Sequence, residues 1–214
     1  MDVTASAPEP DCQLCPRLAA FRSEQRTAHD DWFNSPVPAF GDRQAQLLIA
    51  GLAPGLRGAN RTGRPFTGDY AGDLLYETLG NFGFTVGTYD ARPDDGLALT
   101  NCIIINAVRC VPPQNKPTPQ EIRQCNDFLA SEITSLPRLN CILALGRIAH
   151  EAVLTSQGLV RSRYKFAHNA RHELPGGLSL IDSYHCSRYN TNTGRLTPEM
   201  FSQVFDQIAS LVDS

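Results

Sequence analysis

Four short and nearly unbroken apolar runs decide what this chain can fold into: LLIAG at 47–51, NCIIINAV at 101–108, CILAL at 141–145 and LSLIDSY at 178–184. Each has the length of a strand, and none alternates apolar with polar residues as a half-exposed strand would. Strands of this kind are buried on both faces, as in a parallel sheet covered by helices. The segments between them supply such helices. Leu74, Leu75, Leu79 and Phe82 fall at helical spacing within 72–82, and Thr118-Pro119-Gln120-Glu121 reads as a capping box with proline in the first turn. Thr197-Pro198-Glu199 opens a last helix with Phe201, Val204, Phe205, Ile208 and Leu211 as its apolar stripe. The expectation is an α/β fold: a single three-layer α/β/α domain over 1–214, with a mainly parallel central sheet of about four strands and a flexible tail over 1–10.

A length of 214 residues suits one domain, and 42% hydrophobic against 19% charged residues is enough to bury a full core. No apolar run approaches a membrane span, and the N-terminus lacks the basic-then-apolar order of a secretion signal, so a cytoplasmic protein without a membrane partner is expected. The net charge of −3 argues mildly against nucleic acid, whose binding favours basic surfaces. Local charge differs. Arg57, Arg61 and Arg64 share a stretch without an acid, and from 157 to 195 Arg161, Arg163, Lys165, Arg171, Arg188 and Arg195 meet only Glu173 and Asp182. These segments can build one positive face, or they are ordinary solvated loops; charge alone does not choose.

Seven cysteines, an odd number with no secretion signal, point to metal or redox chemistry rather than disulfides. Cys12-x-x-Cys15 precedes the first strand, while Cys110 and Cys125 bracket a proline-rich loop. Four such thiolates suit tetrahedral zinc or a [4Fe–4S] cluster equally. A thioredoxin-like pair would need to lie between a strand and a helix. Cys102 and Cys141 fall inside strands and read as small buried hydrophobes.

Two loops carry chemistry. The first follows the strand at 47–51 and holds glycines 51, 55, 58, 63 and 68, which let a backbone approach a ligand closely. Asn60, Arg61, Arg64, Phe66 and Asp69 are set among them. Neither a Walker loop nor a dinucleotide fingerprint fits this spacing. The second loop, 183–195, leaves the last strand as SYHCSRYNTNTGR and holds His185 and Ser187, able to address a base edge and a phosphate, with Arg188 and Arg195 for a backbone.

With these residues in view, the chain resembles the uracil-DNA glycosylase superfamily, and within it family 5, the type b enzymes of bacteria and archaea. The matching stretches are PVPAFGD (36–42), GLAPGLRGANRTGRPFTGD (51–69), NAVRC (106–110), the paired cysteines and SYHCSRYNTNTGRLTPEMF (183–201). The resemblance implies a [4Fe–4S] cluster on Cys12, Cys15, Cys110 and Cys125. It also implies hydrolysis of the N-glycosidic bond of a flipped-out deoxyuridine in DNA, leaving an abasic site. Phe66 would stack on the extruded base, and Asn106 would pair with its edge through both amide functions. His185 would bond the carbonyl oxygen that gains charge as the base leaves, with Ser187 and Arg188 on the phosphates and Gly51 giving close backbone approach. A monomer acting at the nucleoid is expected.

Two positions qualify the resemblance. Many uracil glycosylases place Asp or Asn where this chain has Ala53, which can do no acid–base chemistry. Catalysis then leans on leaving-group stabilisation, with Asn60 slightly ahead of Asp69 as the residue that helps the water or steadies the sugar cation. In family 5 this uncluttered pocket goes with a broad substrate range, including hypoxanthine and xanthine. The usual His-Pro-Ser is here His185-Cys186-Ser187, which frees a φ angle and restores an N–H. The competing expectations are a family 4 enzyme, which Ala53 disfavours, a non-catalytic iron–sulfur DNA-binding or redox-sensing protein, and a zinc-stabilised phosphoester-binding domain.

Overall fold

The structure, a computed structural model, describes residues 6–212. Its strands are β1 (Phe40–Gly41), β2 (Leu47–Gly51), β3 (Thr85–Val86), β4 (Ala98–Leu99), β5 (Cys102–Asn106), β6 (Cys141–Leu145), β7 (Arg171–Glu173) and β8 (Ser179–Ser183). Its helices are α1 (Pro16–Ala28), α2 (Ala59–Thr62), α3 (Tyr70–Asn81), α4 (Pro119–Thr134), α5 (Arg147–Ser156), α6 (Arg188–Asn192) and α7 (Pro198–Ala209).

The four apolar runs become β2, β5, β6 and β8, paired in parallel and buried at every residue. The main sheet has six strands rather than about four, in the order β1-β5-β2-β6-β8-β7. The additions β1 and β7 are antiparallel edges of two and three residues. Such fragments are too short to show a pattern; they form because β5 and β8 would otherwise leave backbone donors and acceptors unpaired.

Alternate residues of the strands feed two cores. Leu47, Ile49, Ile104, Leu143 and Ile181 pack with Leu75 and Leu79 of α3 and with Phe201, Phe205 and Ile208 of α7. Leu48, Ile103, Ile105, Ile142 and Leu180 pack with Leu129 and Ile133 of α4 and with Ala149, Ala152 and Val153 of α5. Burying each large apolar side chain contributes about 1.5–3 kcal/mol. Cys102 and Cys141 are fully buried members of the first core. The capping box of α4 is formed, with Thr118 Oγ1 accepting from Glu121 N and Glu121 accepting from Thr118 N. Of the tail expected over 1–10, residues 6–10 are described, and Ser6 N donates to Ser131 Oγ of α4 at 2.7 Å; residues 1–5 lie outside the described residues. Among the described residues no helix is long and apolar enough to cross a membrane.

Numbered among themselves, the four parallel strands run 2-1-3-4 across the sheet, so the winding reverses between β2 and β6. In such sheets the ligand crevice opens beyond the carboxyl ends of the strands beside that reversal.

Candidate active site

A cavity of about 380 Å³ opens at that place, within the range of small-molecule pockets. The loops after β2, β5 and β8 bring Ala53, Phe66, Asp69, Asn106, His185, Ser187 and Arg188 to its walls, with Leu52, Tyr70 and Asn115 beside them.

Phe66 has a φ of 53°, a left-handed conformation costly for an aromatic residue. Its surroundings impose it. Tyr76 Oη donates to Pro65 O at 2.7 Å and Tyr89 Oη to Phe66 O at 3.2 Å. A Cβ on Gly72 would lie 1.9 Å from that same Phe66 oxygen, so only glycine lets α3 approach. Gly51 serves the wall in the same way: a Cβ there would lie 2.4 Å from Asn106 Oδ1 and 2.7 Å from Phe66 Cζ. It is absent from the cavity lining and instead allows those two side chains to meet. The Asn106 amide makes no hydrogen bond to a described residue at the end of β5 and is left for a ligand.

His185 leaves β8 half-buried, its carbonyl accepting from Asn190 Nδ2 at 2.8 Å. Burial lowers its pKa to about 4, so at neutral pH it is an uncharged imidazole with one N–H to donate. Ser187 caps the short α6, and Arg188 lies over the ring of Tyr70 at 5.2 Å on the rim. Cys186 is fully buried in the core and burial pushes its thiol up to about 12, which suits a packing role and not a reactive one.

Asp69 caps α3 by accepting from Ala71 N at 3.2 Å. Its carboxylate lies over Gly55 and Gly58, where a Cβ would come within 2.9 and 2.4 Å of Oδ2, and burial raises its pKa. Asn60 lies behind this wall. It is 1% exposed, donates to Asn34 Oδ1 at 2.8 Å, and leaves its own Oδ1 buried without a partner. The structure therefore puts Asp69 at the cavity and Asn60 outside its lining. Arg64 is not part of a positive face: it is buried, bidentate to Asp95 at 2.6 and 2.7 Å, and packed against Phe40, Tyr76 and Tyr89.

Cys12, Cys15, Cys110 and Cys125 line one small cavity with Leu18, Val108 and Phe128. Cys15 caps α1 and Cys125 lies in the second turn of α4. Burial pushes Cys15 up to about 11 and Cys125 up to about 12, so a bound cation is what would hold them as thiolates. Two buried guanidinium groups face them, neither of them in a salt bridge among the described residues. Arg22 donates to Cys110 Sγ at 3.3 Å and to Cys12 O at 2.8 Å, with its Nε unpartnered. Arg109 donates from its backbone N to Cys125 Sγ at 3.4 Å and from Nε to Val37 O. Ala53 joins the two sites, lining the active-site cavity on one side and packing against the cysteine cluster on the other.

One further group of ligand types, His150, His172 and Asp182, has its atoms within 4.8 Å of one another. These atoms are engaged with one another: the Asp182 oxygens meet the two imidazoles at 2.6 and 2.9 Å, and the other His150 nitrogen meets Tyr164 O at 2.9 Å. It is a proton-bearing network.

Sequence reasoning missed Tyr70, Asn115 and Arg22. The first two lie one residue past a cap and inside a proline-rich turn, and the turn offered a signal in PPQN, where Gln114 and Asn115 both take positive φ. Arg22 had none.

Residues 38–209 match the model of the uracil DNA glycosylase superfamily. The chain is 48% identical to a type-5 uracil-DNA glycosylase of Thermus thermophilus over 90% of each chain. It is 36% identical to a type-5 uracil-DNA glycosylase of Pyrobaculum aerophilum over 93% of this chain and 88% of that one. A type-4 uracil-DNA glycosylase of Archaeoglobus fulgidus is 35% identical over 55% of this chain and 51% of its own. The chain belongs to the uracil DNA glycosylase superfamily, on the side of its type-5 members.

Proposed function

We propose that the protein hydrolyses the N-glycosidic bond of uracil in DNA, leaving an abasic site, in base-excision repair in the cytoplasm. The observation that carries this is the meeting of Phe66, Asn106 and a neutral His185 in one cavity at the carboxyl edge of the sheet. The Phe66 ring offers a face for stacking, which requires a base rotated out of the helix. Asn106 offers one donor and one acceptor to the edge of uracil. As the C1′–N1 bond breaks, the electron pair stays with the base and negative charge grows on its carbonyl oxygen. His185 donates its N–H there, an interaction stronger in the transition state than in the substrate. Water then adds to C1′ and its proton passes to the departing base anion, which leaves as neutral uracil, while the Asp69 carboxylate at the cavity wall would steady the sugar cation. Ala53 offers no acid or base, and nothing at that position selects one base by its exocyclic group, so hypoxanthine and xanthine belong to the substrate range.

The cysteine site fits a [4Fe–4S] cluster on Cys12, Cys15, Cys110 and Cys125. The cluster would supply a cross-link between α1, the loop after β5 and α4, beneath the wall that Ala53 forms.

The test is an excision assay on oligonucleotides holding uracil, hypoxanthine, xanthine or a thymine–guanine mismatch. Cleavable abasic sites from the first three are expected. Intact uracil strands with retained DNA binding would favour the non-catalytic reading. Purified without air, the protein should show broad visible absorbance and about four irons per chain; zinc alone would overturn the cluster.

A further inference from the structure

The ring that would stack on the base is held from a part of the chain outside the loops that line the cavity. Residues 87–97 join β3 to β4 and close tightly at their base, where a Cβ on Gly87 would meet Gly96 O at 2.6 Å. This turn docks on the glycine-rich loop through one ion pair. Asp95 Oδ1 accepts from Arg64 Nη1 at 2.7 Å, and Oδ2 accepts from Arg64 Nη2 at 2.6 Å. The same two oxygens accept from the turn's own backbone, Leu97 N and Asp90 N, each at 3.0 Å. Four donors converge on a carboxylate whose side chain is 1% exposed, so the turn and the loop are fixed to each other.

What the docked turn delivers is Tyr89. Its ring stacks on that of Tyr76 with centroids 4.4 Å apart, and the Arg64 guanidinium lies 5.6 and 5.7 Å from the two rings. The two hydroxyls then take adjacent carbonyls, Tyr76 that of Pro65 and Tyr89 that of Phe66 itself. Gly72 leaves the room for this, since a Cβ there would lie 2.5 Å from Tyr89 Oη. Arg64 Nε donates to Thr67 Oγ1 at 2.7 Å, bracketing Phe66 from its other side. A left-handed aromatic residue persists only where its surroundings over-determine it, and the direction of its ring is then set by those surroundings.

We propose that Tyr89, held by the Arg64–Asp95 pair, is a positioning residue that aims the Phe66 ring at the extruded base. This rests on the glycosylase reading. In Y89F the ring stack on Tyr76 stays and only the hydroxyl goes. Single-turnover excision of uracil from a duplex should fall roughly two- to tenfold, the loss of one ordinary hydrogen bond. That loss should disappear once the ring being aimed is gone: Y89F added to F66L should cost nothing further, because the two residues act as a unit. D95N, which weakens the pair from the other side, should follow Y89F in both backgrounds. An unchanged rate in Y89F overturns the proposal, and so does an equal loss in the F66L background, which would place the effect of Tyr89 elsewhere. The clamp is also read without catalysis: backbone amides across 62–72 should exchange with deuterium faster in Y89F than in wild type, and equal exchange overturns it. A wild type that excises no uracil, with 62–72 loosened in Y89F, removes the glycosylase reading and keeps the clamp on Phe66.

Discussion

The rings of Phe66 and His185 lie 5.9 Å apart, inclined by 30°, and bound one end of the candidate base site. Burial that suits Phe66 also strips His185 of charge, lowering its pKa to about 4. If the donor is the neutral imidazole, single-turnover excision should stay level in this group's titration from pH 7 down to about 5. With a pKa near 4, an imidazolium donor would instead gain rate about tenfold per unit as the pH falls from 7 towards 5. A pH–rate profile of wild type distinguishes the two. A rise on the acid side would reject the neutral-donor mechanism.

Removing that donor is the direct test of the site. H185A should lower the excision rate by ~10²–10³, the usual loss for one donor aimed at developing charge, while binding of a uracil duplex changes little. An unchanged rate would take His185 out of the mechanism.

Gly51 tests whether the cavity depends on close packing of its wall. In G51A the new methyl meets both Asn106 Oδ1 and Phe66 Cζ well inside contact distance, and one of the two must leave its place. Excision should fall at least as far as in N106A while the melting temperature drops by only a few degrees. Full activity in G51A would show that Phe66 and Asn106 need not meet.

The parallel sheet was legible because burial on both faces leaves a mark in composition, as CIII and CILAL show. The positions of the candidate residues followed, since Asn106 ends one legible strand, His185 comes two residues after another, and Phe66 lies in the glycine-rich loop after a third. What could not be read were features set by tertiary contact alone. The edge strands FG and RHE have no pattern of their own. Arg64 looks like surface charge until Asp95, from a segment 31 residues away, is folded against it. Asn60 and Asp69 share a loop, and only the fold turns one inward to Asn34 and the other to the cavity.

Arg22 should matter to the cysteine site without touching DNA. Its buried guanidinium makes no salt bridge among the described residues and feels Asp11 only at longer range, while its hydrogen bonds go to Cys110 Sγ and the Cys12 carbonyl, so thiolates are its nearest counter-charge. R22M keeps the bulk and removes the charge. Protein made with iron should then carry less of it per chain and lose roughly 3 kcal/mol of stability, as when one partner of a buried charge pair is removed. Wild-type iron content and stability in R22M would show that these thiols need no compensation.

His150 gives the fold a pH signature of its own. Burial opposes its charge, but the hydrogen bond and charge of Asp182, with the Tyr164 carbonyl, more than offset this and raise its pKa above the ordinary 6.5. The proton is therefore bound more tightly in the folded state. Its stabilisation is complete below about pH 6.5 and is lost as pH rises through the folded value. Each unit of raised pKa is worth about 1.4 kcal/mol, or about 3 °C of melting temperature for a chain of this size. Wild type should lose melting temperature above pH 6.5 relative to H150Q, whose amide does not titrate there. The loss should be accompanied by faster proteolysis near Arg161 and Lys165, because deprotonation leaves either Tyr164 O or Asp182 Oδ1 facing a lone pair. Parallel melting curves for the two proteins from pH 6 to 9 would mean that His150 is neutral in the folded state and that its contacts with Asp182 and Tyr164 O do not hold a second proton.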